Sequence, residues 1–301
     1  MATLPAVAAA ADDVIVVTAT RSERALQDVI VPVTVINREQ IEQAAASDVA
    51  ELLRFEAGLD IGRNGGPGQA SSIFLRGTES NHTLVLVDGV RINPGTIGGA
   101  ALQNIAPEVI ERIEIVKGAR SSLYGTDAIG GVINIITRRA GAGYAEAGAG
   151  TGSFATQSAY TSVGASGLAG EFGVTLNAQQ TDGYAIRTDS DVQRGYDNLS
   201  ANVYGSREFG AATVNLRHWR ASGRSEYLDF FLAPIDQDYR NESSALEIAT
   251  PLGERAASRL LLSYMIDEID QNQSPDFVLS RRMALDWQYS INLPGHSLAA
   301  G

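Results

Sequence analysis

The chain has 301 residues, a formal net charge of −12 and no cysteine. Lack of cysteine excludes disulfide frameworks, thiolate metal sites and cysteine nucleophiles. The acidic balance, with a pI of 4.7, argues against a nucleic-acid partner, whose phosphates need clustered Lys and Arg. The three histidines, His82, His218 and His296, lie far apart and lack ligand spacing.

In chain order, "MATLPAVAAAADD" reads either as the tail of a secretory signal peptide, with an A-x-A site at Ala8–Ala10, or as an unstructured start. "DVIVVTA", Asp13–Ala19, is an extended β-branched run with no partner strand nearby in sequence, followed by the charged linker "TRSERALQD". Residues 30–140 read as mixed α/β. "VPVTVIN" is a strand, and Asn37 then caps a helix with Gln40 closing a capping box. A second helix follows Ser47 as N-cap, carries Asp48 and Glu51 near its positive end, and stops at Gly58. "TLVLVDGVRIN" is a hairpin about Asp88-Gly89. "PEVIERIEIVKG" starts at Pro107 and becomes an alternating strand, "ARSSLYG" is a short helix closed by Gly125, and "GVINIITRR" is a buried strand.

The glycines of "RSSLYGTDAIGGVINIITRR" pose a choice between a phosphate cradle and close backbone contacts. A cradle places glycines between a strand and a helix N-terminus. Here the order is reversed, and Gly130-Gly131 feed a strand, which favours close approach.

After Ala140 helix signals vanish, and eight segments of about ten residues alternate between apolar and polar. Short turns at Gly167–Gly170, Gly210-Ala211 and Leu252–Glu254 face long, Asp-rich connections at 182–196, 222–241 and 268–281. No run approaches the ~18–20 apolar residues of a membrane helix. The pattern fits an outer-membrane barrel, with a soluble β-sandwich as the alternative. Eight strands close only a lumen filled by its own side chains. The expectation is therefore an N-terminal piece of a larger barrel, with roughly fourteen further strands if it is of the 22-stranded type.

The ordered set "VVTATR", "LLRFEAGLDI", "IFLRG", "VLVDGVRIN" and "IERIEIVKGARSSLYGTDAIGGVINIIT" resembles the plug domain of TonB-dependent outer-membrane receptors over residues 13–138. "NGGPGQASSIFLRGT" is most similar to the cobalamin-transporting members of that family. The resemblance implies an α+β plug domain followed by antiparallel transmembrane β-barrel strands. It divides the chain into a residual signal peptide (1–10), a TonB box and linker (11–29), the plug (30–140) and the first part of the barrel (141–301). It implies active transport of a corrinoid across the outer membrane of a Gram-negative bacterium, with a ferric siderophore as runner-up cargo. A passive pore or adhesin is the rival class; no catalysis is expected.

The TonB box is carried onto Asp13, Val14, Ile15, Val16, Val17, Thr18 and Ala19, to be gripped as an added strand by TonB driven by the ExbB-ExbD motor. Ligand contacts map to Asn64, Gln69, Ala70, Ile97 and Gly98 in two uncharged loops, 64–72 and 93–100. Arg76 and Arg120 resemble positions that face carboxylates on the inner wall. Glu111 and Glu114 serve that polar plug–wall interface or ordinary structural pairing. Calcium, which takes six to eight oxygens, has Asp189, Asp191, Asp197, Asp229, Asp236 and Asp238 as candidate ligands, although Ala185 stands where one ligand is expected; solvated loops are the alternative. Tyr227, Phe230 and Phe231 form a ligand wall or an interfacial girdle. No cofactor is required, the partners include outer-membrane lipid but no nucleic acid, and the receptor is expected to be a monomer.

Overall fold

The computed structural model describes residues 16–17, 24–25, 32–95, 98–141, 143–229, 231–293 and 296–301. The signal-peptide reading, Asp13, Val14, Ile15, Thr18, Ala19, Ile97 and Phe230 lie outside these residues. The first described elements are β1 (Val16–Val17) and β2 (Arg24–Ala25). They pair antiparallel, Val16 opposite Ala25 and Val17 opposite Arg24. The expectation that this run has no nearby partner is thereby corrected: Arg24–Ala25 of the linker pair with Val16–Val17.

The mixed region contains β3 (Val33–Ile36), α1 (Arg38–Ala44), α2 (Val49–Leu53), β4 (Leu59–Arg63), β5 (Ser71–Leu75), β6 (Thr83–Val87), β7 (Val90–Arg91), β8 (Ile110–Lys117), α3 (Ser121–Tyr124) and β9 (Gly131–Thr137). Asn37 caps α1 through the full capping box with Gln40. The cap of α2 is Asp48, one residue later than expected. Ser47 instead gives its N–H and Oγ to Glu51, while Arg63 pins the Asp48 carboxylate at 2.6 Å. A long-range ion pair thus decides between two good capping residues. The helix ends at Leu53, not Gly58.

A five-stranded sheet runs in the order β3-β8-β9-β6-β7, antiparallel except for the β6–β9 pair. The β6–β7 hairpin turns at Asp88 and Gly89, both with positive φ (50° and 84°), the geometry that favours Asp-Gly. The whole of β9 is buried, and Ile113, Ile115, Ile133 and Ile135 form the centre of the core with α2.

Beyond Thr137 the chain forms one nine-stranded antiparallel meander: β10 (Tyr144–Thr151), β11 (Gln157–Gly167), β12 (Gly170–Thr181), β13 (Tyr196–Phe209), β14 (Ala212–Leu228), β15 (Pro234–Leu252), β16 (Ala256–Gln271), β17 (Phe277–Leu293) and β18 (His296–Ala300). β18 is one strand more than the alternation revealed. The sheet is open, with β10 and β18 at its edges.

Alternation sorts its faces. Along β13, Tyr196, Asn198, Ser200, Asn202 and Tyr204 point inward and are buried against the plug, while Leu199 and Phe209 point outward and are exposed. The outward face continues with Leu216, Leu246, Ile248, Leu262, Met283 and Leu285. An apolar outer face with a polar inner one is what a transmembrane barrel wall requires. No helix among the described residues is long and apolar enough to cross a membrane.

Two of the three expected long loops are strands instead. β14 and β15 stay paired out to Leu228 and Pro234, and β16 and β17 out to Asp270 and Phe277. Strands of 16 to 19 residues exceed the ~9–11 needed to cross. Their extra lengths rise past the apolar belt on the side opposite the short turns. Of the three, 182–195 is irregular throughout.

Candidate functional site

Loops 64–72 and 93–100 both sit at the long-hairpin end of the wall. The first joins β4 to β5 and is closed by Asn64 N–H donating to the Ala70 carbonyl (3.1 Å). Asn64 and Ala70 are exposed. Gln69 is buried, and its Nε2 donates to the Glu226 carbonyl on β14, so it ties the loop to the wall rather than facing outward. Ser225 Oγ donates to the Gly68 carbonyl at 3.0 Å beside it. Gly68 has φ +70° and lies against the Tyr196 ring, which leaves no room for a Cβ.

The second loop is braced from within by Asn93, fully buried and not singled out in the sequence. Its Oδ1 accepts from Val85 N–H (2.7 Å), and its Nδ2 donates to the Thr83 and Gly98 carbonyls (3.1 and 2.8 Å). Gly95 N–H donates to Ser280 Oγ on β17 at 3.0 Å. Three backbone groups therefore depend on one side chain. Asn93→Ala is expected to cost the loop about 2 kcal/mol, because it strands buried donors and acceptors. Amide exchange at Val85 checks this, with about a thirtyfold acceleration expected.

Aromatic rings surround these loops. Tyr184 lies over Gly66 and packs on Phe154 with ring centroids 5.5 Å apart, and both rings are partly exposed. Neither was singled out from the sequence. Tyr227 is half-buried and donates to Gln271 Oε1 at 2.6 Å, a bond within the wall, whereas Phe231 is 85% exposed at the hairpin tip.

The plug meets the wall through a second set of residues that sequence reasoning missed. Asn104, in the 3-10 turn Leu102–Asn104, donates to Asn241 Oδ1 at 2.7 Å. Asn198 Nδ2 donates to the Asn104 carbonyl at 2.9 Å, and Tyr196 OH donates to the Gln103 carbonyl at 3.0 Å. Arg138 pairs with Glu146 on β10 at 2.7 Å. The interface is not wholly polar, as had been expected: Trp219 and Ala221 of β14 join the plug core, and Val90 packs on Ala245, Leu261 and Met265.

The four expected plug–wall residues sit as follows. Glu114 is fully buried and paired with Arg112 inside the plug at 2.8 Å. Glu111 acts electrostatically on Arg138. Arg76 is exposed with φ +53° and reaches towards Gly118. Arg120 donates to the adjacent Ala119 carbonyl at 3.1 Å. Neither arginine meets a wall carboxylate among the described residues.

The six aspartates do not converge. Asp189 is held by Arg187, which keeps its carboxyl below the ordinary value. Asp236 and Asp238 share Arg224, and Asp229 accepts the Ala233 N–H. Asp191 and Asp197 are exposed. Among the described residues no three acidic or histidine side chains form a metal-binding group.

The plug and β14–β17 border a cavity of about 910 Å³. Asp88, Gly89 and Arg91 line it from the plug, and Arg217, Glu247, Arg259 and Arg282 from the wall. Burial, and next the Arg282 guanidinium, lower the pKa of Arg91 from its ordinary value.

The match to known proteins follows this geometry. A family model described as the TonB-dependent Receptor Plug Domain matches residues 25–132. The chain is 36% identical over 309 residues to the vitamin B12 transporter BtuB of Photobacterium profundum, covering 96% of this chain and 50% of that protein. The chain thus spans about half the length of the curated relative it matches. The FrpB iron transporter of Neisseria meningitidis superposes with a TM-score of 0.72 at 15% identity, over 87% of this chain and 46% of that one. A double mutant of the ferric enterobactin receptor PfeA of Pseudomonas aeruginosa gives 0.70 at 18% identity, over 93% and 48%. At such identities these two establish the fold alone.

Proposed function

The chain belongs to the TonB-dependent receptors, and on that premise we propose that the whole protein is an energy-coupled transporter that carries a corrinoid across the outer membrane. The family is one of receptors and transporters, not enzymes. Its relatives are outer-membrane proteins of Gram-negative bacteria, and the outward apolar face of β12–β17 is built for that setting.

The observation that carries the cargo assignment is the 36% identity to a vitamin B12 transporter along 96% of the chain. The site supports it. Both outer loops lack charge and present backbone, an exposed Asn64 and the nearby rings of Tyr184 and Phe154, which suits a large, amide-rich cargo. Energy enters through residues 13–19, gripped by TonB with the ExbB-ExbD motor, and the plug is displaced rather than chemically altered.

Purified full-length receptor tests the cargo. Cyanocobalamin is expected to bind, and Asn64→Asp together with Tyr184→Ala to weaken binding at least about tenfold, roughly 1.4 kcal/mol. Binding of ferric enterobactin, with none of cyanocobalamin, would assign the receptor to siderophores instead.

A further inference from the structure

The two uncharged outer loops belong to different parts of the plug. Loop 64–72 joins β4 to β5, a two-stranded sheet of its own. Loop 93–100 follows β7 of the five-stranded sheet and runs into the turn Leu102–Asn104. No sheet ladder joins the two loops among the described residues. A side chain of the wall, Tyr196, reaches both regions.

Tyr196 opens β13, directly after the irregular connection 182–195, and stands opposite Ser225 of β14. The two meet Gly68 together. Ser225 Oγ donates to the Gly68 carbonyl at 3.0 Å, and the Tyr196 ring occupies the place a Cβ on Gly68 would take. Glycine at 68 therefore lets loop 64–72 rest on the ring. At the far end of the same side chain, the hydroxyl lies 3.0 Å from the Gln103 carbonyl and 3.2 Å from Asn104 Oδ1, the two acceptors open to its one proton. The ring serves one loop, and the hydroxyl serves the turn that follows the other.

The phenol is a rigid plate, so displacing its edge at Cδ2 and Cε2, where Gly68 sits, displaces the hydroxyl as well. Its surroundings leave little slack. The hydroxyl accepts from Asn198 Nδ2 at 2.7 Å, and that same amide donates to the Asn104 carbonyl at 2.9 Å. The Tyr239 ring stacks alongside, centroids 6.1 Å apart and 10° from parallel, with Tyr239 OH 3.2 Å from Tyr196 OH. Tyr196, Asn198 and Asn104 are each 4% exposed and Tyr239 is 5% exposed, so their own neighbours already close the group off, whatever strands complete the wall. A buried polar network with its members bonded to one another is stiff.

We propose that Tyr196 is a positioning residue that couples the two outer loops, so that a shift of loop 64–72 resets the turn behind loop 93–100, and the reverse. The proposal deepens the transport reading above and rests on it for its purpose: a large cargo that spans both loops meets one coupled surface. Such coupling is reciprocal. A competing path exists, because loop 93–100 also approaches Ser80 and Asn81, and Ser80 Oγ accepts the Ile73 N–H of β5 at 3.2 Å.

The test is a double-mutant cycle on the full-length receptor without cargo, read by amide hydrogen exchange. The reporters are the Asn104 and Ile105 N–H groups, which close the turn on the Ala101 and Leu102 carbonyls. Gly68→Ala drives a methyl group into the Tyr196 ring and is expected to speed exchange at both reporters at least about fivefold. Tyr196→Phe keeps the ring and removes the hydroxyl. It is expected to fold, since Asn198 and Tyr239 retain the Asn104 and Asp197 carbonyls as partners. In that background Gly68→Ala is expected to change the reporters by less than about twofold.

The reciprocal arm uses Asn104→Ala and reads the Gln69 N–H, which bonds to the Gly66 carbonyl. Exchange there is expected to rise at least about threefold with Tyr196 present and less than about twofold with Tyr196→Phe. Exchange across β8 and β9 is the folding control, and the reciprocal arm decides if Gly68→Ala loosens the whole plug. Reporters that do not respond in a folded variant overturn the proposal. Equal acceleration in both backgrounds also overturns it and assigns the coupling to Ser80 and Asn81. Absence of cyanocobalamin binding to the unaltered receptor overturns the corrinoid assignment alone, because the cycle is run without cargo.

Discussion

Val16→Pro is expected to lower energised uptake at least about a hundredfold while surface binding of the cargo stays unchanged. The expectation follows from what β-strand addition needs. A partner that adds itself to residues 13–19 is held by main-chain N–H and C=O groups, and proline removes one donor and blocks regular pairing around it. The loops proposed to meet the cargo are far along the chain and keep their own supports, Gln69 on Glu226 and Asn93 on Val85.

The β1–β2 pairing adds a second arm to this experiment. One edge of Val16–Val17 is occupied by Arg24–Ala25. If TonB takes that edge, the linker competes with it. Arg24→Pro weakens the internal hairpin and leaves residues 13–19 intact, so uptake equal to or above that of the unaltered receptor is expected. Normal uptake by Val16→Pro would locate the energy-coupling segment elsewhere.

Most of the plug was legible in the sequence because its signals are local. Asn37 and Gln40 close a capping box three residues apart, Asp88-Gly89 dictates a tight hairpin, and Gly125 ends a single helical turn. Where a choice hung on a distant residue, local reading failed: Arg63 made Asp48 the cap instead of Ser47. The barrel strands were legible only where lipid enforces alternation. Beyond the apolar belt both faces are polar, so pairs such as Arg224 with Asp238 and Ser225 with Gln237 continue the ladder without a hydrophobic rhythm. The plug–wall contacts were hidden for a related reason. Asn104, Asn198, Tyr196 and Asn241 are ordinary polar residues on inward positions, and nothing in their spacing says which will meet.

Gly131→Ala is expected to unfold the plug, or to leave it loose within the barrel. Gly131 has φ +155°, and a Cβ there runs into the Val116 carbonyl oxygen and the Leu75 side chain. The obstacle is backbone on a paired strand, so it cannot swing aside. Gly131 sits opposite Lys117 on β8 and Thr83 on β6, and the neighbouring Gly130 exchanges bonds with His82 and Gly118 at 2.9 and 2.8 Å. Relief of the clash on one side therefore strains the other. The cost is about 3 kcal/mol, the upper range for forcing volume into a packed core. That is a large share of the ~5–15 kcal/mol that holds a domain together. Gly205→Ala is the matched control: Gly205 lies on β13 with nothing within 4 Å of its Cβ position, and a change within about 0.5 kcal/mol is expected. Plug stability is read by protease sensitivity of residues 32–137 on heating. Function is read by passive leak of small solutes, because an unplugged barrel of about 22 strands is an open aqueous channel. A Gly131→Ala receptor that neither melts early nor leaks would mean that β6, β8 and β9 do not approach as closely as this packing requires.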